Sequence, residues 1–200
     1  WCLMIEFIKK LIKIKLLFKI PQKKDILIYD NEGAEFIIKI LDNNSFEILY
    51  VRGENINIYI YLKLLLRLKF KYKDYLDEYI KFVNPKVLIT WIDNNLNFYE
   101  YKNDAIKKIA IQNARRTCVD NDIFFELEKK KNNKNIYNAD YIFVHSSSVK
   151  KLYEKFILTK ICVSGSFRSN NEKINIKKKV NDILYISTFR NAQLGNENRI

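Results

Sequence analysis

The chain has 200 residues, enough for one full domain or for one domain and the start of another. Its 36 Lys and Arg outweigh 23 Asp and Glu to give a net charge of +13, which favours anionic partners such as nucleotide phosphates, acidic sugars or an anionic membrane surface. Three cysteines (Cys2, Cys118 and Cys162) with no CxxC spacing, and one histidine, His145, argue against a disulfide framework or a metal site and fit a reducing cytoplasm.

Residues 1–22 open the chain as a basic amphipathic segment. Lysines at 9, 10, 13, 15 and 19 interrupt every apolar run before the ~20 residues of a membrane span are reached. No signal peptide is expected either, because a continuous apolar core and a small-residue cleavage site are both missing. A helix with Leu11, Ile14 and Phe18 on one stripe is the expectation, packed on the body of the protein or lying on an anionic bilayer through residues 1–20.

From residue 23 to 170 apolar runs alternate with amphipathic ones. KDILIYD reads as a buried strand and NEGAEFIIKIL as the helix after it, with Gly33 at the turn. SFEILYV is a second strand. INIYIYLKLLLRLKF and KYKDYLDEYIKFV are helical, and Asn84-Pro85 closes the second of them. KVLITWI, KIAIQ, YIFVH and KICVS supply four more strands, with helices suggested by DNDIFFELEKK and SSVKKLYEKF. The fold class is therefore α/β, a Rossmann-like and mostly parallel sheet with right-handed crossovers. NEKINIKKKVN, residues 171–181, reads as a polar linker, and DILYIST as the first strand of a second α/β domain that starts at residue 182 and is cut at 200. Met4 is a candidate initiator.

Ligands of an open α/β sheet bind outside the carboxyl ends of its strands, and here these ends are polar. Asp93 follows KVLITWI and is expected at the mouth of the cleft, as a general base or nucleophile at a sugar, with helix capping as the competing role. Asn94 and Asn95 suit sugar hydroxyls or turn chemistry. Gln112 and Asn113 end the next strand, and Arg115 and Arg116 after them could clamp a phosphate or carboxylate or form surface ion pairs. His145 and Ser146 end YIFVH, where the serines cap the next helix or present its N-terminus to an anion. Gly165, Ser166 and Arg168 follow KICVS, with Gly165 free to take a positive φ. No Walker loop, GxGxxG or nucleophile elbow occurs, which disfavours kinase, dehydrogenase and serine-hydrolase chemistry. No metal and no cofactor is expected.

WIDNNLNFYEYK, IQNARR, NADYIFVHSSSVKKLYEKF, VSGSFRSNN and ILYISTFR resemble the N-terminal half, and first C-terminal strand, of bacterial surface-carbohydrate (capsule and lipopolysaccharide) biosynthesis proteins of GT-B glycosyltransferase architecture. The resemblance spans residues 23–190 and departs from the pattern at Ala114, where glycine is expected. It implies an acceptor-side domain facing a donor-binding one. It also implies transfer from a nucleotide sugar, CMP- or UDP-linked, to a glycan or lipid-linked acceptor at the cytoplasmic face of the membrane. A basic cleft would favour an acidic donor such as CMP-Kdo. Without its second half, this stretch alone is expected to be inactive. A sugar-nucleotide 2-epimerase would share the two-domain architecture. A non-enzymatic basic module for membrane or nucleic acid is the rival of another class; nucleic acid is not expected, because the lysines are scattered and no binding signature is present.

Overall fold

A computed structural model describes residues 15–41, 46–68, 71–116, 123–129 and 137–170. The linker, the second-domain strand, Cys2, Cys118 and the first fourteen residues lie outside the described residues. The described elements are β1 (Lys15–Leu17), β2 (Ile26–Tyr29), α1 (Ala34–Ile38), β3 (Phe46–Leu49), β4 (Asn55–Asn57), α2 (Ile58–Leu65), α3 (Tyr72–Val83) and β5 (Val87–Thr90). They continue with α4 (Leu96–Glu100), β6 (Lys107–Ile111), α5 (Ile123–Lys129), β7 (Asn138–Val144), α6 (Ser147–Phe156), β8 (Leu158–Val163) and α7 (Phe167–Asn170).

Six strands form one sheet in the order β3-β2-β5-β6-β7-β8, and every neighbouring pair is parallel. The chain moves outward from β2 to β3, then returns past β2 to β5 and continues in that direction. Right-handed crossovers therefore place α1 on one face and the later helices on the other. The buried residues divide accordingly. Ile28 and Ile111 pack with α1 and Trp91, whereas Leu27, Tyr29, Leu88, Ala110 and Ile142 pack under α2 through α6. The central strands β2 and β5 read as nearly unbroken apolar runs because both of their faces are covered.

Helix α3 shows how the pattern becomes packing. Its apolar residues recur at helical spacing, so Tyr75, Leu76, Tyr79, Ile80 and Val83 are all buried. Asn84 then ends it in the left-handed region at φ 53°, and Pro85 prevents continuation.

The described part of the N-terminal segment departs from the expected helix. Lys15–Leu17 is a strand paired in parallel with β4, and Lys15 N–H donates to Glu54 O at 2.8 Å. β4 leaves backbone groups that need partners, and a short strand satisfies them where a helix would not. Among the described residues no helix is long and apolar enough to cross a membrane.

Candidate functional site

The sheet register aligns the carboxyl ends of the strands. Thr90 sits opposite Ala110, and Ala110 opposite Ile142, so Asp93, Asn113 and His145 lie three residues beyond matched positions. Asp93 does not face the cleft mouth: it is 0 % exposed. Arg116 grips its carboxylate in a two-pronged fork, with Nε donating to Oδ2 at 2.8 Å and Nη2 to Oδ1. The Tyr153 hydroxyl from α6 donates to Oδ2, Asn113 N–H donates to Oδ1 at 3.2 Å, and the Tyr99 hydroxyl donates to the Asp93 carbonyl at 2.8 Å. A buried carboxylate must be compensated, and here a cation and two donors do so. Burial, with the Asp93 charge second, holds the Tyr99 and Tyr153 hydroxyls well above the ordinary tyrosine range. Burial opposes the charge on Arg116, but the hydrogen bond and charge of Asp93 outweigh it and raise the guanidinium.

This arrangement commits Arg116, whose side chain is 7 % exposed and whose Nη2 also donates to Asn113 Oδ1 at 2.8 Å. Its fork is occupied by a carboxylate of the same chain, so the expected Arg115–Arg116 anion clamp does not assemble; Arg115 is exposed beside it. Asp93 caps no helix either. The N-cap of α4 is Asn95, whose side chain accepts from Asn97 N–H. Ala114 is accommodated because no positive φ is needed there: among the described residues only Asp30, Leu68 and Asn84 adopt one without being glycine.

Gln112 ties two strand ends together. Its Oε1 accepts from His145 N–H at 2.8 Å, its Nε2 donates to Ala114 O at 2.7 Å, and its carbonyl meets His145 Nε2 at 3.0 Å. Ser146 caps α6 by accepting from Val149 N–H. Gly165 takes φ 72°, Ser166 Oγ accepts from Ser169 N–H, and Arg168 lies over the Phe36 ring at 5.0 Å. That last group packs against α1 and Trp91, and so does not join the Asp93 cluster.

A polar depression of about 520 Å3 opens between the ends of β2 and β5, lined by Asp30, Arg52, Ile92, Asn94, Asn95, Leu96, Asn97, Glu100 and Glu126. This is where the strand order reverses, the crevice at which doubly wound sheets bind ligands. A larger hollow of about 640 Å3, lined by Lys23, Lys24 and Lys86 among others, opens at the amino ends of the strands. The same rule assigns the ligand to the carboxyl side despite the difference in volume.

Asp30 is the strained residue of the depression. It adopts φ 90° while 2 % exposed, a conformation that costs on the order of 1–3 kcal/mol for a non-glycine residue. Its carboxylate accepts from Glu32 N–H at 3.1 Å and from Arg52 Nε at 3.1 Å, and Arg52 also pairs with Glu32. Gly33 supports the same turn: at φ 73°, a Cβ there would lie 2.2 Å from Trp91 Cδ1. Nearby, the buried Tyr29 hydroxyl has no hydrogen-bond partner, and burial raises its pKa with help from the charges of Tyr72, Asp77, Asp30 and Glu100.

Three carboxylates against one arginine make this lining acidic and amide-rich, not the basic cleft that the overall charge suggested. Among the described residues no three His, Cys, Asp or Glu side chains come together in a way that could hold a metal ion. Asn94 and Asn95 both line this depression. Asp30, Arg52, Glu100 and Glu126 were missed, although Asp30 ends an apolar strand just as Asp93 does. Arg52 likewise follows the apolar run SFEILYV, whereas Glu126 carried no comparable signal, because it lies within a helix that only the tertiary structure brings to this edge.

No curated protein and no solved structure matches this chain significantly. Residues 109–200, from β6 onward, match a family model described as "putative O-antigen biosynthesis protein", a similarity that supports surface-carbohydrate biosynthesis.

Proposed function

We propose that the protein is a glycosyltransferase of surface-polysaccharide assembly, of GT-B type, and that this domain holds the acceptor sugar in the depression at the β2/β5 switch point. The observation that carries the reading is the lining itself. Carboxylate and amide side chains at rigid strand ends accept from and donate to sugar hydroxyls, and the excess of carboxylates disfavours a phosphate or an acidic sugar at that place. The similarity of residues 109–200 to an O-antigen biosynthesis family supports the pathway class. The donor in this reading is a nucleotide sugar. Its anionic part is bound elsewhere, and the acceptor hydroxyl displaces the nucleotide from the anomeric carbon.

Asp93 and Arg116 serve this reading as positioning residues, because their charged groups are spent on each other. The test incubates the protein with candidate nucleotide sugars, with and without a neutral oligosaccharide acceptor. Acceptor-dependent release of free nucleotide, with the acceptor KM raised about tenfold or more in Asp30→Asn and Asn94→Ala, is expected. Conversion of the nucleotide sugar without acceptor would favour the epimerase reading. Unchanged acceptor kinetics in both variants would remove the depression from the mechanism.

A further inference from the structure

Helix α2 is apolar on both sides. Ile60 and Leu64 face the core, while Tyr59, Tyr61 and Leu62 are 41–52 % exposed, Leu66 is 88 % exposed and Leu68 is 78 % exposed. An all-round apolar helix is ordinarily a buried one. The two cations of this stretch do not relieve the outer face, because Lys63 and Arg67 are both drawn to Glu78 of α3, at 2.6 and 3.0 Å. Leu68 adds a second observation. It closes the turn that follows the helix at φ 54°, a conformation normally given to Gly or Asn, and the side chain that makes this costly points into solvent. Lys19 O accepts from Asn57 Nδ2, the α2 N-cap, at 2.7 Å, which brings the exposed Phe18 and Ile20 to the N-terminal end of the helix, opposite the end that carries Leu66 and Leu68.

Cations outnumber carboxylates around this face, since Lys63 and Arg67 share the single Glu78 and Lys19 and Lys71 are exposed. No acidic residue occurs between Glu54 and Asp74, nor between Glu6 and Asp25, whereas Lys63, Arg67, Lys69, Lys71 and Lys73 lie in the first interval alone. A second copy docked on the same face would set the exposed Lys19 and Lys71, and the surplus charge that Lys63 and Arg67 keep over Glu78, against their own equivalents. We propose that the outward face of α2, from Tyr59 to Leu68, is a docking surface for an anionic lipid bilayer. Leu66 and Leu68, the most exposed side chains of this stretch, need a medium that closes around them, which the acyl boundary supplies. The tyrosines suit headgroup depth, and the cations meet the anionic headgroups. This inference is independent of the sugar-transfer reading.

The test is co-sedimentation of the protein with vesicles of phosphatidylcholine alone and of phosphatidylcholine mixed with phosphatidylglycerol. Binding to the mixed vesicles is expected, weakened at least about tenfold on neutral vesicles and at least about tenfold by Leu62→Ser with Leu66→Ser. Leu68→Asn separates docking from folding. It relieves the left-handed leucine and should raise Tm while weakening vesicle binding several-fold. Equal binding to both vesicle types overturns the proposal, as does vesicle binding unaffected by these substitutions. A lipid-free dimer that Leu66→Glu dissociates, with no vesicle binding by the wild type, would identify a second copy as the occupant and also overturn it.

Discussion

Two carboxylate–arginine pairs stand at the ends of adjacent strands, and they have opposite characters. Asp93 and Arg116, after β5 and β6, are 0 % and 7 % exposed, closed over by Tyr153 and Tyr99. Asp30 and Arg52, after β2 and β3, combine an enclosed carboxylate with a guanidinium that is 48 % exposed beside an open depression. The first pair turns its carboxylate and guanidinium on each other, with Asn113 and Tyr153 as further partners, and ties together the segments after β5, β6 and β7. The second sits where the strand order reverses and no crossover covers the edge, so its polar groups can exchange water for a ligand. Identical side-chain chemistry thus gives a structural lock in one place and a candidate site in the other. The difference lies in what the topology puts on top.

The largest effect should come from breaking the lock. Asp93→Asn leaves Arg116 as an uncompensated, buried cation, and is expected to cost about 3–5 kcal/mol. In thermal melts this corresponds to a Tm fall of about 10 °C. A near-native Tm would show that Asp93 is less essential to packing than its partners imply, and would restore it as a candidate for chemistry.

The β2 end is rigid for a different reason, which glycine substitutions expose. Gly33→Ala drives a Cβ into the Trp91 ring and keeps a positive φ, so a loss of about 2–3 kcal/mol is expected. Gly53→Ala, at φ 77° with nothing within 4 Å of the added Cβ, should lose only about 1 kcal/mol from backbone strain. Denaturant midpoints that fail to separate the two would show that the Trp91 contact yields without cost.

Helix α4 joins the two regions, since its N-cap Asn95 lines the depression and its last carbonyls accept from a buried ammonium. Lys108 Nζ donates to Tyr101 O at 2.6 Å and Tyr99 O at 3.1 Å, and burial lowers its pKa to about 8. The folded chain therefore releases this proton before the unfolded chain does. Stability should rise by on the order of 2 kcal/mol as the pH climbs from about 8 toward 10. The buried tyrosines act in the opposite sense. Their folded pKa values are raised, so the unfolded chain ionises first and stability should fall above pH 10. A pH series of melts on the wild type and Lys108→Met checks both limbs, since only the lower one should vanish in the variant.

The smallest stability effect belongs to Arg52→Ala. An arginine this exposed contributes no more than about 1 kcal/mol through its ion pairs. Acceptor affinity should nevertheless drop, because the guanidinium orients Asp30. Loss of affinity at constant Tm would sharpen the contrast between the pairs, whereas a large fall in Tm would erase it.

Much of the fold was legible because both faces of the sheet are covered. Each of the six strands contains an apolar run long enough to recognise, and the longer crossover helices α3 and α6 are amphipathic, whereas α2 is apolar on both sides. The short elements were not legible: Lys15–Leu17 and Leu96–Glu100 have too few residues for a period, and they exist because backbone groups of neighbouring segments need partners. At the candidate site, the rule that function gathers at carboxyl strand ends pointed to the edge of the sheet where the polar depression lies. It could not rank Asp93 against Asp30, since each follows an apolar strand in the same way.

The amino-acid pattern by itself determined the fold class, the direction of the strands and the polar character of one edge, because periodicity and right-handed crossovers leave few alternatives. The tertiary structure alone decided which polar residues face one another. Register placed Arg116 and Tyr153 on Asp93 across 23 and 60 residues of chain and removed that carboxylate from solvent. Strand order left the crevice between β2 and β5, where Arg52 meets Asp30. Burial and charge pairing are properties of neighbours in space, and a linear sequence does not name those neighbours.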